Sequence, residues 1–518
     1  MVHPPSAAEA TAAEAAAVRA ARPGSTSGSV PARPARRRIG RATAALAPAG
    51  LMLALGLWGI GREGSMWRDE STTYQVAHRD LGEITHMLGN ADVVHGLYYL
   101  LMHGLFALWD GGLVALRLPS VLGMAAAAAG VGLIGHRLAG PRAGLAAGLV
   151  FPLIPAVQEY AQEGRSYALV CALVVWSTHA LLGAVARPRA WAWVRYAAVS
   201  ALACLLHEFA VLALLAHGAT LHLARATVPE DVRWRWGRAA TCAVLPMAPL
   251  VVVSQQQANL VGWIPRPDAA QLLGFAAPAL AGLLLAKAPV SAAAGPVRLR
   301  TLALPLLILP PALLMAVSYL HPLYVDRYVL YSHVGLALLL GAALDWALRA
   351  ARRRGTLAVG TVLGLATAAV AALLPPSLHL RTPESRLDDT VSAARAVREL
   401  SEPGDGVLFL PARRREPMMS RPEDFAGLRN LALSVDAVTS GTLHGVELPA
   451  AEIRTRMLTA DRIVTVNDPP GGKPAGAPEE QAKREVLSGH FAVCEQRAVK
   501  GMRIILYARP GKCGPRPH

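Results

Sequence analysis

The sequence predicts a polytopic α-helical membrane protein of about eleven transmembrane helices, with a small α/β domain after the last of them. Three observations predict it. Only 17% of the 518 residues are charged and 53% are hydrophobic, with a mean hydropathy of +0.36, against roughly 25% charged in a soluble chain. Apolar runs near the length of a bilayer crossing recur up to residue 375. The basic residues behind the net charge of +16 cluster at the ends of those runs, as the positive-inside rule requires. No aromatic-interleaved basic domain of the nucleic-acid-binding kind is present.

Residues 1–43 read as a disordered basic tail, rich in Ala, Pro, Ser and Arg and ending in the cluster Arg33–Arg38. The charge rule assigns it to the cytoplasm. The first crossing, Ala44–Ile60, carries the chain out into a long external loop, 61–117, which holds Asp69, Glu70, Arg79, Asp80 and Glu83. The apolar run His95–Trp109 inside that loop is short for a crossing and is interrupted by two glycines and two histidines. Length alone permits a short crossing or a helix lying in the interface. Charge decides between them. The next basic connection, His136–Arg142, belongs inside, and the single crossing Leu118–Ile134 reaches it from outside. His95–Trp109 is therefore expected to be interfacial.

The remaining crossings follow the same alternation. Residues 143–157 lead out to Gln158–Ser166, and Tyr167–Val185 returns to the basic loop Arg187–Arg195. Tyr196–Leu206 and Val211–Ala224 form an out-and-back pair with His207–Glu208 at the outer turn, followed by the basic connection Arg225–Arg238. Residues 240–256 exit to Gln255–Asp268, and 270–286 return to Lys287–Arg300. Residues 302–318 exit to His321–Arg327, 328–347 return to Arg349–Arg354, and 357–374 form the last crossing. The transmembrane part is thus 44–375, and 376–518 lies outside the cell.

That last part has no run long enough to cross a membrane. Helix-like stretches (Asp388–Leu400, Glu479–Leu487) alternate with strand-like runs at Val407–Leu410, Arg462–Val466, Phe491–Gln496 and Met502–Ala508. The last two read as a hairpin turning at Lys500–Gly501. The five cysteines show no zinc spacing, and Cys171, Cys204 and Cys242 lie in apolar runs as small core residues. Cys494 and Cys513 both fall in the external region, where oxidising conditions permit a disulfide between them.

Sorting polar groups by side concentrates the chemistry on one face. Asp69, Glu70, His95, Tyr98, Tyr99, Arg117, Glu159, Glu163, Arg165, His207, Glu208, Trp263, Arg327 and Tyr328 are all external. Simple structural roles are available for several. Glu159 and Glu163 share a helix face at i,i+4, and one of them can pair with Arg165. Arg117 opens a crossing and can snorkel. His207–Glu208 can be a hydrogen-bonded turn, and Trp263 an interfacial anchor or a substrate platform. Taken together, arginines at headgroup depth fit a lipid phosphate, and a nearby carboxylate fits a general base for an acceptor hydroxyl. No Gly-rich phosphate loop supports a nucleotide donor.

The order of short motifs adds a resemblance. After Asp69–Glu70 come His95–Gly96–Leu97–Tyr98–Tyr99, Arg117–Leu118–Pro119–Ser120 and Glu163–Gly164–Arg165–Ser166–Tyr167. His207–Glu208–Phe209, Trp263–Ile264–Pro265 and Asp326–Arg327–Tyr328 follow. The set, over about residues 44–375, resembles the GT-C membrane glycosyltransferases. The nearest group is glycosyltransferase family 39, with its protein O-mannosyltransferases and lipid A aminoarabinose transferases.

The resemblance implies a polyprenyl-phosphate sugar donor and transfer at the extracytoplasmic face of the plasma membrane to a protein, lipid or glycan acceptor. It implies Asp69 as catalytic base, supported by Glu70, with Glu163 as the acidic residue of the second external loop. Arg117, Arg165 and Arg327 are the implied phosphate contacts, and His95, Tyr98, Tyr99, His207, Glu208, Trp263 and Tyr328 the implied substrate contacts. Gly96–Leu97 replaces the proline often found after the histidine, which puts loop geometry and acceptor in doubt. Some members hold a divalent metal between two acidic loops, for which Asp69 and Glu163 are the candidates here, and others use none. The Ala- and Arg-heavy composition resembles actinobacterial proteins, which makes mannose the expected sugar. A transporter or flippase of lipid-linked sugars is the alternative. Against it, the polar residues gather at one face rather than at span centres, and no repeated half is evident.

Overall fold

The computed structural model describes residues 39–257, 262, 264–290, 295–471 and 476–513, so the basic tail before Ile39 and Trp263 lie outside the described residues. Among the described residues, seven helices are long and apolar enough to cross a membrane: Arg41–Gly64, Gly112–Ala139, Tyr167–Ala186, Glu230–Gln256, Leu299–Ser318, Asp326–Arg354 and Thr356–His379. The pair Pro141–Leu153 and Pro155–Ala161, bent by 65° where Pro155 starts a new helix, has the geometry of a broken span or a re-entrant loop and makes an eighth when counted as one span. The other three expected crossings, Ala190–Leu206, Glu208–Leu223 and Ala269–Leu285, are apolar helices of 10–17 residues. At 1.5 Å per residue they reach about 25 Å at most, the short end of the range for a membrane crossing.

Small residues let the helices approach closely. A Cβ on Gly132 would run into the Ala44 carbonyl oxygen of the first helix, so that crossing is fixed by the absence of a side chain.

The basic connections meet at one end of the bundle. Arg137 donates to the Leu182 carbonyl (2.7 Å), Arg235 to that of Pro188 (3.2 Å) and Thr227 to that of Pro296 (2.5 Å). The opposite end carries the long first loop, which folds into helices Arg68–Ala77, Leu81–Asn90 and Gly96–Leu108. The second of these starts at a capping box: Asp80 accepts from the Glu83 N–H (2.8 Å), and Glu83 from that of Asp80 (2.9 Å). The third covers the run expected to be interfacial. It buries Tyr98, Tyr99, Met102 and Phe106 while Leu100, Leu101 and Leu108 stay exposed.

Beyond the last span comes an α/β domain. Strands β1 (Gly406–Leu410), β2 (Arg429–Asn430), β5 (Arg462–Asn467), β6 (Ala492–Val499) and β7 (Met502–Ala508) form a sheet in the order β2-β1-β5-β7-β6. β1 runs parallel to β2 and β5, and β7 antiparallel to β5 and β6. A short ribbon pairs β3 (Leu433–Val435) with β4 (Val446–Glu447). The inner strands β1 and β5 are buried along nearly their whole length, with helix Thr390–Leu400 packed over one face and Ala450–Leu458 and Pro478–His490 over the other. The β6–β7 hairpin turns at Lys500–Gly501, and a disulfide joins Cys494 to Cys513. Bundle and sheet domain belong to one compact unit, Ile39–His518.

Candidate functional site

Asp69 and Glu70 occupy the first turn of helix Arg68–Ala77, where carboxylates complement the helix dipole. Consecutive helical residues point about 100° apart, and the two side chains separate accordingly. Glu70 points inward and has no exposed side-chain surface. It is gripped bidentately by Arg117, whose Nε and Nη2 each lie 2.7 Å from one of its oxygens. The Gly164 N–H (3.0 Å) and Arg62 Nη1 (3.4 Å) complete the shell. Gly164 lies so close to Leu116 that a Cβ would sit 2.5 Å from its Cγ, so only glycine brings that N–H to the carboxylate. Burial alone would raise the Glu70 pKa, but the guanidiniums of Arg117 and Arg62 overcome it and hold the carboxyl at about 2.

Arg117 is equally enclosed. Besides Glu70 it donates to the carbonyls of Ile60 (2.6 Å) and Ser65 (2.7 Å). Its fork thus ties the end of the first span to the first-loop helix, and a snorkelling role is overturned by its complete burial. Neither Glu70 nor Arg117 has surface with which to meet a substrate in this structure. Both lie beneath the site.

Asp69 points the other way, its side chain 18% exposed. Its Oδ2 lies 3.3 Å from Arg327 Nη2, and its Oδ1 3.7 Å from Arg68 Nε. Arg327 sits among the rings of Trp67 (5.5 Å to the centroid), Tyr167 (5.5 Å) and Tyr328 (5.8 Å). Arg165 is buried nearby, donating to the Tyr99 hydroxyl (3.1 Å) and to Thr73 Oγ1 (3.4 Å). Among the described residues Arg165 forms no ion pair.

Two histidines complete the wall. The rings of His95 and His207 are 5.7 Å apart, and His207 lies 4.6 Å from Tyr328 and 5.5 Å from Tyr167. Both Nδ1 atoms are buried without a hydrogen-bond partner. Burial, reinforced by Arg165 and Arg327, pushes both imidazoles well below their usual pKa, so they are neutral at pH 7.

Glu163 is buried in the turn after helix Pro155–Ala161, with Oε1 unpartnered. Burial raises its pKa to about 7 against the opposing fields of Arg386 and Arg327, and the charges of Glu70 and Asp69 push it the same way. Glu159 pairs with neither Arg165 nor another residue of its own loop. Its partner is Arg386, 227 residues away, through Oε1 (3.3 Å) and its carbonyl (2.9 Å).

Other sequence-selected residues sit further off. Tyr98 is fully buried in the helical core. Tyr99 supports Arg165 from below and donates its hydroxyl to Asp92. Glu208 meets Ser254 Oγ at 3.4 Å, on the periphery.

Arg62, Arg386, Thr73 and Tyr167 had no assigned role in the sequence. The first two carried a signal nonetheless, since both are arginines on the side where the charge rule disfavours them. For a divalent metal, the donor set does not fit. Each Asp69 oxygen faces a guanidinium, and among the described residues no three His, Cys, Asp or Glu side chains converge.

No family model matches this chain, and no curated protein matches it. Solved structures do. The chain is similar to ArnT from Cupriavidus metallidurans in the apo state, with TM-score 0.59 and 13% identity over 91% of this chain and 98% of that one. It is similar to the same protein bound to undecaprenyl phosphate, with TM-score 0.56 and 12% identity over 91% and 99%. The apo oligosaccharyltransferase of Archaeoglobus fulgidus matches with TM-score 0.50 and 10% identity over 89% and 80%. At this identity the likeness shows the fold, which is that of the GT-C membrane proteins, with a small sheet domain after the helices.

Proposed function

We propose that this chain is a glycosyltransferase of the plasma membrane. It moves a sugar from a polyprenyl phosphate to an acceptor hydroxyl of a protein, lipid or glycan at the extracytoplasmic face. One observation carries the reading: a buried guanidinium, Arg165, with no ion pair among the described residues, lies near the Tyr167 and Tyr328 rings that also adjoin Arg327 and the part-exposed carboxylate Asp69. A buried cation demands a counter-charge, and a lipid phosphate at headgroup depth supplies one. The ArnT structure solved with undecaprenyl phosphate shares the fold and supports this choice of donor. The motif order supports a family-39-like enzyme, with a mannose-like hexose as the sugar.

In this reading Arg165 and Arg327 hold the donor phosphate. Asp69 accepts the proton of the acceptor hydroxyl as its oxygen bonds to the anomeric carbon. The bond from that carbon to the phosphate oxygen breaks, and its electron pair leaves on the phosphate, where the two guanidiniums stabilise it. The sugar passes through an oxocarbenium-like state. The neutral imidazoles of His95 and His207, each with an open Nδ1, hydrogen-bond the sugar hydroxyls. The rings of Tyr167 and Tyr328 flank Arg327 beside them. Glu70 and Arg117 act one layer below, fixing the helix that carries Asp69.

Binding of undecaprenyl phosphate to the purified protein tests the donor assignment. Uncharged polyprenol is the control. Each charge-assisted contact is worth about 1.5–3 kcal/mol, so Arg165→Ala is expected to weaken phosphate binding roughly ten- to hundredfold. Equal affinity for polyprenyl phosphate and polyprenol would refute the donor site.

A further inference from the structure

The segment Arg381–Thr390 joins the last span to the sheet domain, and connecting segments ordinarily run exposed over a surface. This one leaves Glu384 and Leu387 exposed but buries its other charged side chains: Arg381, Arg386, Asp388 and Asp389, with Thr390 beside them, are each at most 8% exposed. Buried charge is costly unless it is paired, and these residues bond three parts of the site end: the end of the first span, Glu159, and the backbone of Met66–Arg68. Arg381 donates to the Leu55 carbonyl at 2.9 Å and lies 4.5 Å from the Trp58 ring, holding the end of the first span. Arg386 holds Glu159 at 3.3 Å, four residues before Glu163.

The last three residues grip the approach to Asp69. Asp388 Oδ1 accepts from the Arg68 N–H at 2.8 Å, and Asp389 Oδ1 from that of Met66 at 3.3 Å. The Thr390 N–H and Oγ1 both donate to the Met66 carbonyl, at 2.7 and 2.9 Å. The strap is itself pinned to the sheet domain. Asp389 N–H donates to the Lys500 carbonyl at 3.1 Å, and Asp388 pairs with Arg414 at 3.5 Å. At Gly501 (φ +71°) a Cβ would lie 2.4 Å from that of Asp388, so the hairpin turn fits against the strap only as glycine.

We propose that Arg381–Thr390 is a positioning strap: it holds the Asp69 loop and the Glu159–Glu163 loop in one geometry and makes the sheet domain part of the catalytic apparatus. The catalytic half of this rests on the reading of Asp69 as the base. None of the strap residues touches the reacting atoms. They act through the backbone of Met66–Arg68 and through Glu159.

The full-length protein in lipid nanodiscs provides the test, with Thr390→Val, Asp388→Ala and the conservative Asp388→Asn, which keeps an acceptor oxygen for the Arg68 N–H. Amide hydrogen exchange is read at Met66 and Arg68, and kcat and donor KM are read in transfer. Thr390→Val and Asp388→Ala are expected to speed exchange at these amides about tenfold and to lower kcat at least tenfold, with donor KM within twofold of wild type. Asp388→Asn restores most of both. Thr390→Val removes one hydroxyl and preserves shape, so it supplies the answer if Asp388→Ala misfolds. Exchange unchanged in Thr390→Val and Asp388→Ala overturns the strap whatever reaction the protein performs. Faster exchange with kcat unchanged overturns its catalytic half. A wild-type chain that transfers from no polyprenyl-phosphate sugar removes the functional reading, and with it the catalytic half, while the exchange result still decides the structural half.

Discussion

Neighbouring carboxylates with opposite consequences make the sharpest prediction. Asp69→Asn and Glu70→Gln each remove one negative charge from the same helical turn. Asp69 is part-exposed and paired with arginines at 3.3 and 3.7 Å. The Asp69–Arg327 pair is only 18% and 11% exposed, but asparagine keeps an oxygen that accepts from the guanidinium, so Asp69→Asn costs less than loss of the Glu70 pair and still folds. In its proposed role as base, however, Asp69 is worth 10²–10⁴-fold in rate, and kcat is expected to fall by that factor. Glu70 is fully buried and carries the counter-charge for Arg117 and Arg62. Removing one partner of a buried pair costs about 3–5 kcal/mol, so Glu70→Gln unfolds at markedly lower temperature or fails to accumulate. The assay is paired: thermal unfolding in detergent beside transfer per folded molecule. An Asp69→Asn protein that is destabilised and active, or a Glu70→Gln protein as stable as wild type, would refute the division of labour.

Other predictions concern charge and covalent links. Glu163 has its pKa raised from 4.5 to about 7, so the folded chain binds a proton more tightly than the unfolded one. Stability is therefore highest below pH 4.5 as far as this group is concerned and falls as pH rises through 7, by about 3 kcal/mol in all. Glu163→Gln flattens that part of a stability–pH curve, and an unchanged curve would contradict the buried carboxyl. Glu70 has the reverse sign, since its depressed pKa of about 2 supplies stability above pH 4.5 that is lost as pH falls towards 2. Reduction of Cys494–Cys513, which are separated by 19 residues, costs the sheet domain about 3 kcal/mol, measurable as earlier proteolysis of β6–β7 under reductant. Intact β6–β7 after reduction would show that the sheet holds the hairpin alone.

Much of this arrangement was legible because charge and hydropathy are local properties. Alternating basic connections assigned every polar cluster to a side, and Arg165, Arg327, His95, His207 and Asp69 do converge at one end of the bundle. The burial of Glu70 was not legible. Two adjacent acids on one helical turn look alike in sequence, and only the arrival of Arg117, 47 residues later, decides which points inward. Arg386 on Glu159 is a pairing across 227 residues that periodicity does not encode. The 65° bend between Pro141–Leu153 and Pro155–Ala161 was not legible either, because an apolar run reads the same whether the helix is straight or broken. In the sheet domain, β5 and β7 show β-branched runs that mark them as strands. The two-residue strands β2 and β4 are too short for any alternation, and the strand order depends on partners far along the chain.

The central claim is that Arg165, Arg327 and Asp69 form a site for transfer from a lipid-linked sugar phosphate. Its most direct measurement is transfer of radiolabelled sugar from polyprenyl-phosphate mannose and related donors to membrane acceptors by purified wild-type protein, beside Asp69→Asn. The account predicts labelled product from the wild type and at least a hundredfold less from the variant at equal folded concentration. Equal product from both would contradict it.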